Sequence, residues 1–318
     1  MTLPENSFPS TEDFFKDRTH RLLHYLRREV LPTAFCSGCG CGTVLGAFAQ
    51  AMDELGLAPQ EVALVTGIGC SSWIPSPYFK ADTLHTTHGR PLAFATGVKI
   101  MLPDMKVIII AGDGDIAGIG GNHLIHNARR NIDISVFMVN NWNYGMTGGQ
   151  VSPTTPIGAR TTTTPYKNIE PPLKTAELVA AAGANYVSRW TTYHVFPLME
   201  AMQYAIMKKG FSFIEIISQC PVSYGKLVGM RTGSDFLNYF RDNSVKVEKA
   251  QELSEEELKD KIVIGKIVER DEEEFVEKLY QINEIQADKL GLKKPVLSPD
   301  KVGKGPALRE VEGKEQSE

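Results

Sequence analysis

Asp113 and Asn141 stand 28 positions apart in the pattern Gly112-Asp113-Gly114-Asp115 … Asn140-Asn141. They offer one carboxylate and one carboxamide. With a backbone carbonyl added, such a donor set suits a hard divalent cation, which takes oxygen ligands and completes its shell with phosphate. Gly112, Gly114 and Gly118 let backbone N–H groups approach an anion, and a helix start just beyond them favours negative charge. The pattern points to a magnesium–diphosphate site. Standing alone, Gly-Asp-Gly can be a tight turn and Asn-Asn a strand cap. The setting argues otherwise: one apolar run, 106–111, leads into the first motif and another, 134–139, ends on the second.

A second chemistry comes from sulfur. Cys36-x-x-Cys39 sets two thiolates on one loop, while Cys70 and Cys220 each follow a short apolar run. Four thiolates arriving from three loops suit tetrahedral zinc or an iron–sulfur cluster, and spacing does not separate the two. Structural zinc usually holds a small module together, for which a sheet of this size has no need. A cluster beside the diphosphate site would have a use as an electron exit. Cys41 reads as a small buried residue that Gly40 turns away from the pair.

These groups need a frame. Runs at 62–66, 106–111, 134–139, 186–190 and 211–217 read as strands, three of them continuous apolar runs of the kind buried in parallel sheets. Helical spacing links them: 44–55 ended by Gly56, 91–102, a stretch after Gly118, Thr175 to Gly183, and 195–209. The expected fold is α/β, a mainly parallel sheet with helices on both faces, and its crossovers should be right-handed. Gly67–Cys70, Asp113 and Cys220 then all follow strands at one edge, where open α/β sheets bind ligands.

The stretch from Trp142 to Pro172 has six threonines between 154 and 164, five prolines and paired glycines at 148. A loop of this length in a compact domain is usually functional, and it reads as a segment folding over a bound cofactor. Residues 1–30 form an N-terminal extension, with a helix expected from Ser10. Residues 31–235 form the diphosphate-binding domain. Residues 236–318 form a charged helical C-terminal extension of two helices, begun by Ser254-x-x-Glu257 and Asp271-x-x-Glu274, with a disordered tail.

Composition excludes several classes. A net charge of −4 gives no case for nucleic acid or an anionic membrane as partner. No apolar run nears the roughly 20 residues that span a bilayer, and the polar start does not read as a signal peptide. Five cysteines in such a chain favour metal or redox chemistry over disulfides, and a cytoplasmic location is expected.

The Gly-Asp-Gly and Asn-Asn pair resembles the motif of thiamin diphosphate enzymes. More narrowly, Cys-x-Gly-Cys-Gly, Gly-Ile-Gly-Cys-Ser-Ser, Asp-Thr-Leu-His-Thr-Thr-His-Gly-Arg, Gly-Asp-Gly-Asp, Asn-Asn-x-x-Tyr-Gly-Met-Thr-Gly-Gly-Gln and Ser-Pro-Thr-Thr-Pro occur in one order. That order, over residues 30–235, resembles the β subunit of 2-oxoacid:ferredoxin oxidoreductases, and its Asp-Thr-Leu-His-Thr-Thr-His-Gly-Arg and Ser-Pro-Thr-Thr-Pro stretches resemble the 2-oxoglutarate group. Ser37 stands where many relatives have proline, and Trp73 where some have lysine.

The resemblance implies a thiamin diphosphate-binding fold in which Asp113, the Asn141 side chain and the Asn143 backbone carbonyl hold Mg²⁺. It implies a cofactor site of Gly69, Cys70, Ser71, His88, Gly112, Asp113, Gly114, Asp115, Asn141, Tyr144, Gly145, Met146 and Thr147. His88 and Arg90 would face the substrate, and Cys36, Cys39, Cys70 and Cys220 would hold one [4Fe–4S] cluster. The implied reaction is coenzyme A-dependent oxidative decarboxylation of a 2-oxoacid with electrons passed to ferredoxin, or its reverse, CO₂ fixation. No glutamate that could activate the cofactor is evident, so an α partner subunit is expected, in a heterodimer or a dimer of heterodimers. The other readings are a pyruvate-type β subunit, a thiamin enzyme without electron transfer, and a non-catalytic zinc or iron–sulfur protein with a degenerate nucleotide site.

Overall fold

The computed structural model describes residues 21–291, so the helix expected from Ser10 and the C-terminal tail lie outside the described residues. Strands β1 (Val62–Thr66), β2 (Asp82–His85), β3 (Lys106–Gly112), β4 (Ser135–Asn140), β7 (Tyr186–Thr191), β8 (Ser212–Ile217), β9 (Ser244–Lys246) and β10 (Ile262–Glu269) build one sheet. Their order is β2-β1-β3-β4-β8-β7-β10-β9. The first six are mutually parallel. A separate two-stranded ribbon pairs β5 (Asn143–Tyr144) with β6 (Gln150–Val151).

Period-two alternation decides which face each strand residue serves. Ile108 and Ile110 of β3 pack with Phe48 and Met52 of helix Gly40–Leu55 and with Leu198 and Met202 of helix Val195–Met207. Val107, Ile109 and Ala111 face the other way, onto Leu92, Leu124 and Val179 of helices Pro91–Met101, Gly121–Arg129 and Thr175–Ala182. Both faces are covered, which is why the strands read as unbroken apolar runs rather than alternating ones.

The chain runs from β1 outward to β2, then returns past β1 to β3 and on to β4. Strand order therefore reverses between β1 and β3, and the loops leaving their carboxyl ends diverge to open a crevice. Gly67–Cys70 and Gly112–Asp115 are those two loops.

The C-terminal stretch differs from the two-helix expectation. Ser254 does cap a turn, accepting from the Glu257 N–H, but that helix is only Glu255–Leu258. The β-branched run that follows becomes β10, antiparallel to β7. Its charged neighbours, Lys259 to Lys261 and Glu269 to Glu274, hid it in the average composition. The long helix, Phe275–Leu290, is capped by Glu274 rather than begun at Asp271. Asp271 instead pairs with Lys208 at 2.6 Å. Position 235 falls within helix Gly233–Asn243, whose Phe236 and Phe240 are buried against Trp142 and Tyr224.

Candidate functional site

One cleft at the carboxyl ends of β1, β3 and β4 is lined by Ile68, Gly69, Cys70, Ser71, His88, Gly112, Asp113, Gly114, Asp115, Asn141, Asn143, Tyr144, Gly145, Met146 and Thr147. All thirteen residues expected at a cofactor site, and Asn143, meet there. Arg90 does not. It is exposed, its guanidinium lying 3.2 Å from His123 Nε2 and 3.5 Å from the Ile119 carbonyl. His126 faces solvent and His123 is half-buried beside Arg90.

Asp113 sits at the end of β3, 2% exposed. Burial pushes its carboxyl up to about 6 against the opposing pull of the Ser152 and Thr154 hydroxyls, each 2.6 Å from Oδ2. A carboxylate so desolvated calls for a positive partner. Asn143 Oδ1 is buried with no hydrogen-bond partner, while the Asn143 amide nitrogen donates to the Asn141 carbonyl at 2.8 Å. Trp142, between the two, takes a left-handed φ of 63°, a strained conformation that brings Asn141 and Asn143 to the same wall. A carboxylate and two carboxamides, the Asn143 oxygen among them unsatisfied, make a donor set that fits a hard cation. The Asn143 side chain, not only its backbone, is thus part of that set.

Asn140, first of the asparagine pair, is a bracket. Its Oδ1 accepts from the Trp142 N–H at 3.1 Å and lies 2.9 Å from the Thr154 hydroxyl oxygen, and its Nδ2 donates to Glu215 at 2.7 Å. Glu215 in turn pairs with Arg189 at 2.8 Å, and Arg189 with Glu177 at 2.7 Å. Nothing in the sequence marked Glu215 or Arg189, because ion pairs between neighbouring strands depend on register.

Asp115 carries the other half of the cleft. Its Oδ1 accepts from the Gly89 N–H at 2.6 Å and meets His88 Nδ1 at 2.5 Å, while its Oδ2 is buried without a partner. Burial raises this carboxyl, and the Gly89 N–H and His88 partly offset that. His88 is therefore fixed through one ring nitrogen, and its ring stands edge-on to Tyr144, 6.1 Å between centroids. Gly114 follows β3 in a wide π-helical turn, Gly114–Ile119. A side chain at Gly114 would run into the Tyr144 ring, so only glycine lets the tyrosine close the cleft there.

The sulfur loops share this wall. Cys70 lines the cleft, and a Cβ on the cleft residue Gly145 would lie 3.5 Å from Cys220 Sγ. The loop of Cys36 and Cys39 is joined to that of Cys220 by a hydrogen bond from the Gly40 N–H to the Gln219 carbonyl, 3.1 Å. Burial pushes the Cys70 thiol up to about 11, helped by negative charge on Cys39, Cys220 and Cys36. The other three thiols thus lie within electrostatic range of Cys70. Among the described residues no group of three or more His, Cys, Asp or Glu converges tightly enough to hold a metal ion. Cys41 is buried, as expected, but it is not turned away: it donates a hydrogen bond to Cys39 that brings that thiol down to about 7.

The Thr- and Pro-rich stretch is tied to the residues at the base of the cleft. Thr155 donates to the Trp142 carbonyl at 2.6 Å, and Ser152 and Thr154 reach Asp113. Among the described residues no helix is long and apolar enough to cross a membrane.

Residues 67–216 match the family model described as thiamine pyrophosphate enzyme, C-terminal TPP binding domain. The chain is 51% identical over 265 residues to 2-oxoglutarate synthase subunit KorB of Methanocaldococcus jannaschii, covering 83% of this chain and 98% of that one. It is 43% identical over 188 residues to 2-oxoacid:ferredoxin oxidoreductase subunit beta of Saccharolobus solfataricus, covering 59% of this chain and 62% of the relative. Among solved structures, the 2-oxoglutarate:ferredoxin oxidoreductase from Magnetococcus marinus with 2-oxoglutarate, coenzyme A and succinyl-CoA bound is 30% identical. It aligns with a TM-score of 0.76 over 88% of this chain and 94% of that chain.

Proposed function

The chain belongs to the β subunits of the 2-oxoacid:ferredoxin oxidoreductases, and from that premise we propose that it provides the cation, diphosphate and electron-exit half of a 2-oxoglutarate-oxidising active site. Asp113, Asn141 and Asn143 would hold Mg²⁺ for the diphosphate of thiamin diphosphate. Backbone N–H groups around Gly114 and Asp115 would be available to the phosphate oxygens. Cys36, Cys39, Cys70 and Cys220 would hold a [4Fe–4S] cluster. When bound, thiamin diphosphate supplies an electron sink for decarboxylation of the 2-oxoacid, and the cluster a one-electron path to ferredoxin. Coenzyme A takes the acyl group; run in reverse, the same site fixes CO₂.

The chain's own contributions follow from its geometry. His88, held on Asp115, keeps a fixed edge toward the cleft from which it can move a proton or orient a carbonyl. Tyr144 and Met146 line the cleft among its apolar side chains. An α partner supplies the activating glutamate and the rest of the substrate pocket, in a heterodimer or a pair of heterodimers.

The observation that carries this reading is that Cys70 lines the same cleft as Asp113, Asn141 and Asn143. The names borne by the relatives support 2-oxoglutarate over pyruvate. Purification of the complex with its partner tests it. Thiamin, magnesium, iron and acid-labile sulfide should co-purify, and reduction of ferredoxin should need coenzyme A and proceed faster with 2-oxoglutarate than with pyruvate. Zinc in place of iron, or turnover without any electron acceptor, would refute it.

A further inference from the structure

The Ser152-Pro-Thr-Thr-Pro156 turn looked like a mark of substrate class, yet its hydroxyls do not face open cleft. Ser152 and Thr154, 5% and 3% exposed, both donate to the same oxygen of Asp113, Oδ2, at 2.6 Å. Hydrogen bonds this short to an ionised acceptor are among the stronger ones a protein makes. The same turn anchors the loop that follows it. Leu173 N–H donates to the Pro153 carbonyl at 2.7 Å, and Asn168 Nδ2 to the Thr155 carbonyl at 2.9 Å. Thr162 N–H reaches back to the Gly149 carbonyl at 2.9 Å. Loop 150–173 is thus tied down at both ends and in its middle, and its one buried charged anchor is Asp113.

We propose that Ser152 and Thr154 are positioning residues that set the Asp113 carboxylate for the cation, so that cation binding and packing of loop 150–173 are coupled. This rests on Asp113 being a cation ligand, as proposed above. Each hydroxyl removes rotational freedom from the carboxylate before the cation arrives. Partners that orient a metal ligand in this way typically contribute about 10- to 100-fold in metal affinity. Coupling is reciprocal: if the packed loop raises affinity for the cation, the cation must favour the packed loop by the same factor.

The test uses the full-length chain in complex with its partner, thiamin diphosphate in excess and Mg²⁺ titrated, on wild type, Ser152→Ala/Thr154→Val and Thr154→Ser. Two readouts are followed: Mg²⁺ affinity by calorimetry, and hydrogen exchange of the peptide 150–173. Wild type should show slower exchange in that peptide on adding Mg²⁺. The double variant should lose about 10- to 100-fold in affinity and keep fast exchange with Mg²⁺ present. Thr154→Ser, which keeps the hydroxyl, should stay near wild type. Affinity within twofold of wild type in the double variant would overturn the coupling, as would equal slowing of exchange. Wild type that binds thiamin diphosphate and Mg²⁺ beside an unaffected variant removes this inference alone; wild type that binds neither removes the proposed function with it.

Discussion

Gly67 and Asp115 stand so close that a side chain on the glycine would overlap the Asp115 carboxylate. One comes from the loop after β1 and the other from the loop after β3, so their contact closes the crevice at the switch in strand order. It also sets the pose of His88, which Asp115 holds at 2.5 Å.

Gly67→Ala should therefore displace Asp115 and His88 together. Overpacking of this kind costs about 1–3 kcal/mol, and the expected result is a lowered melting temperature with sharply reduced thiamin retention. Thiamin analysis beside thermal unfolding checks it. A variant that melts lower yet retains its thiamin would separate Asp115 from the cofactor.

The Asp113 carboxyl, raised by burial from 3.8 to about 6, gives the cofactor-free protein a defined pH dependence. The folded state holds this proton more tightly than the unfolded chain. Its contribution to stability is complete below 3.8 and lost as pH rises through about 6. By neutral pH the ionised group costs about 3 kcal/mol. Asp113→Asn should flatten the profile between these values and raise the melting temperature of the cofactor-free protein at pH 8, while abolishing Mg²⁺ retention. Parallel stability profiles for the two proteins would contradict this. In wild type, Mg²⁺ affinity should fall about tenfold per pH unit below 6, because the cation binds the ionised form.

The sulfur ligands give a selective set. Replacing Cys36, Cys39, Cys70 or Cys220 singly by serine should remove the broad visible absorption and most of the iron. Cys41→Ala should keep both, since Cys41 donates to Cys39 and is not one of the four. Iron content and visible spectra of the five variants check it, and iron retained in Cys220→Ser would remove that thiol from the set.

Helix Gly233–Asn243 makes a stability prediction. Phe236 is fully buried against Tyr224 and Phe240, and truncation of such a side chain costs about 3–5 kcal/mol. Phe236→Ala should lower the denaturant midpoint of the whole protein in one transition. Two separate transitions would mean that the helix belongs to a separately folding unit.

The parallel sheet was legible in the sequence because buried strands must be continuous apolar runs, and the edge that bears the chemistry followed from where those runs stop. Asp113, Asn141 and His88 were legible because their glycine-rich surroundings have few other uses. Strand β2 was not, since Asp82–His85 is mostly exposed and its residues read as site chemistry. Strand β10 was masked by the charges flanking it. The bracket of Asn140, Glu215 and Arg189 depends on register, and the bonds from Ser152 and Thr154 to Asp113 depend on how a long loop folds back. Neither leaves a local pattern. Cys41 was misread because Gly40 was given no tertiary role, although a Cβ there would collide with Ser218 and Gln219.

The most direct measurement is the visible spectrum of the purified, oxygen-free complex before and after addition of 2-oxoglutarate with coenzyme A. A cation-held thiamin site sharing a wall with a four-thiol cluster predicts bleaching of the absorption on addition of substrate, with colour restored by oxidised ferredoxin. A colourless complex, or a spectrum that 2-oxoglutarate and coenzyme A leave unchanged, would contradict it.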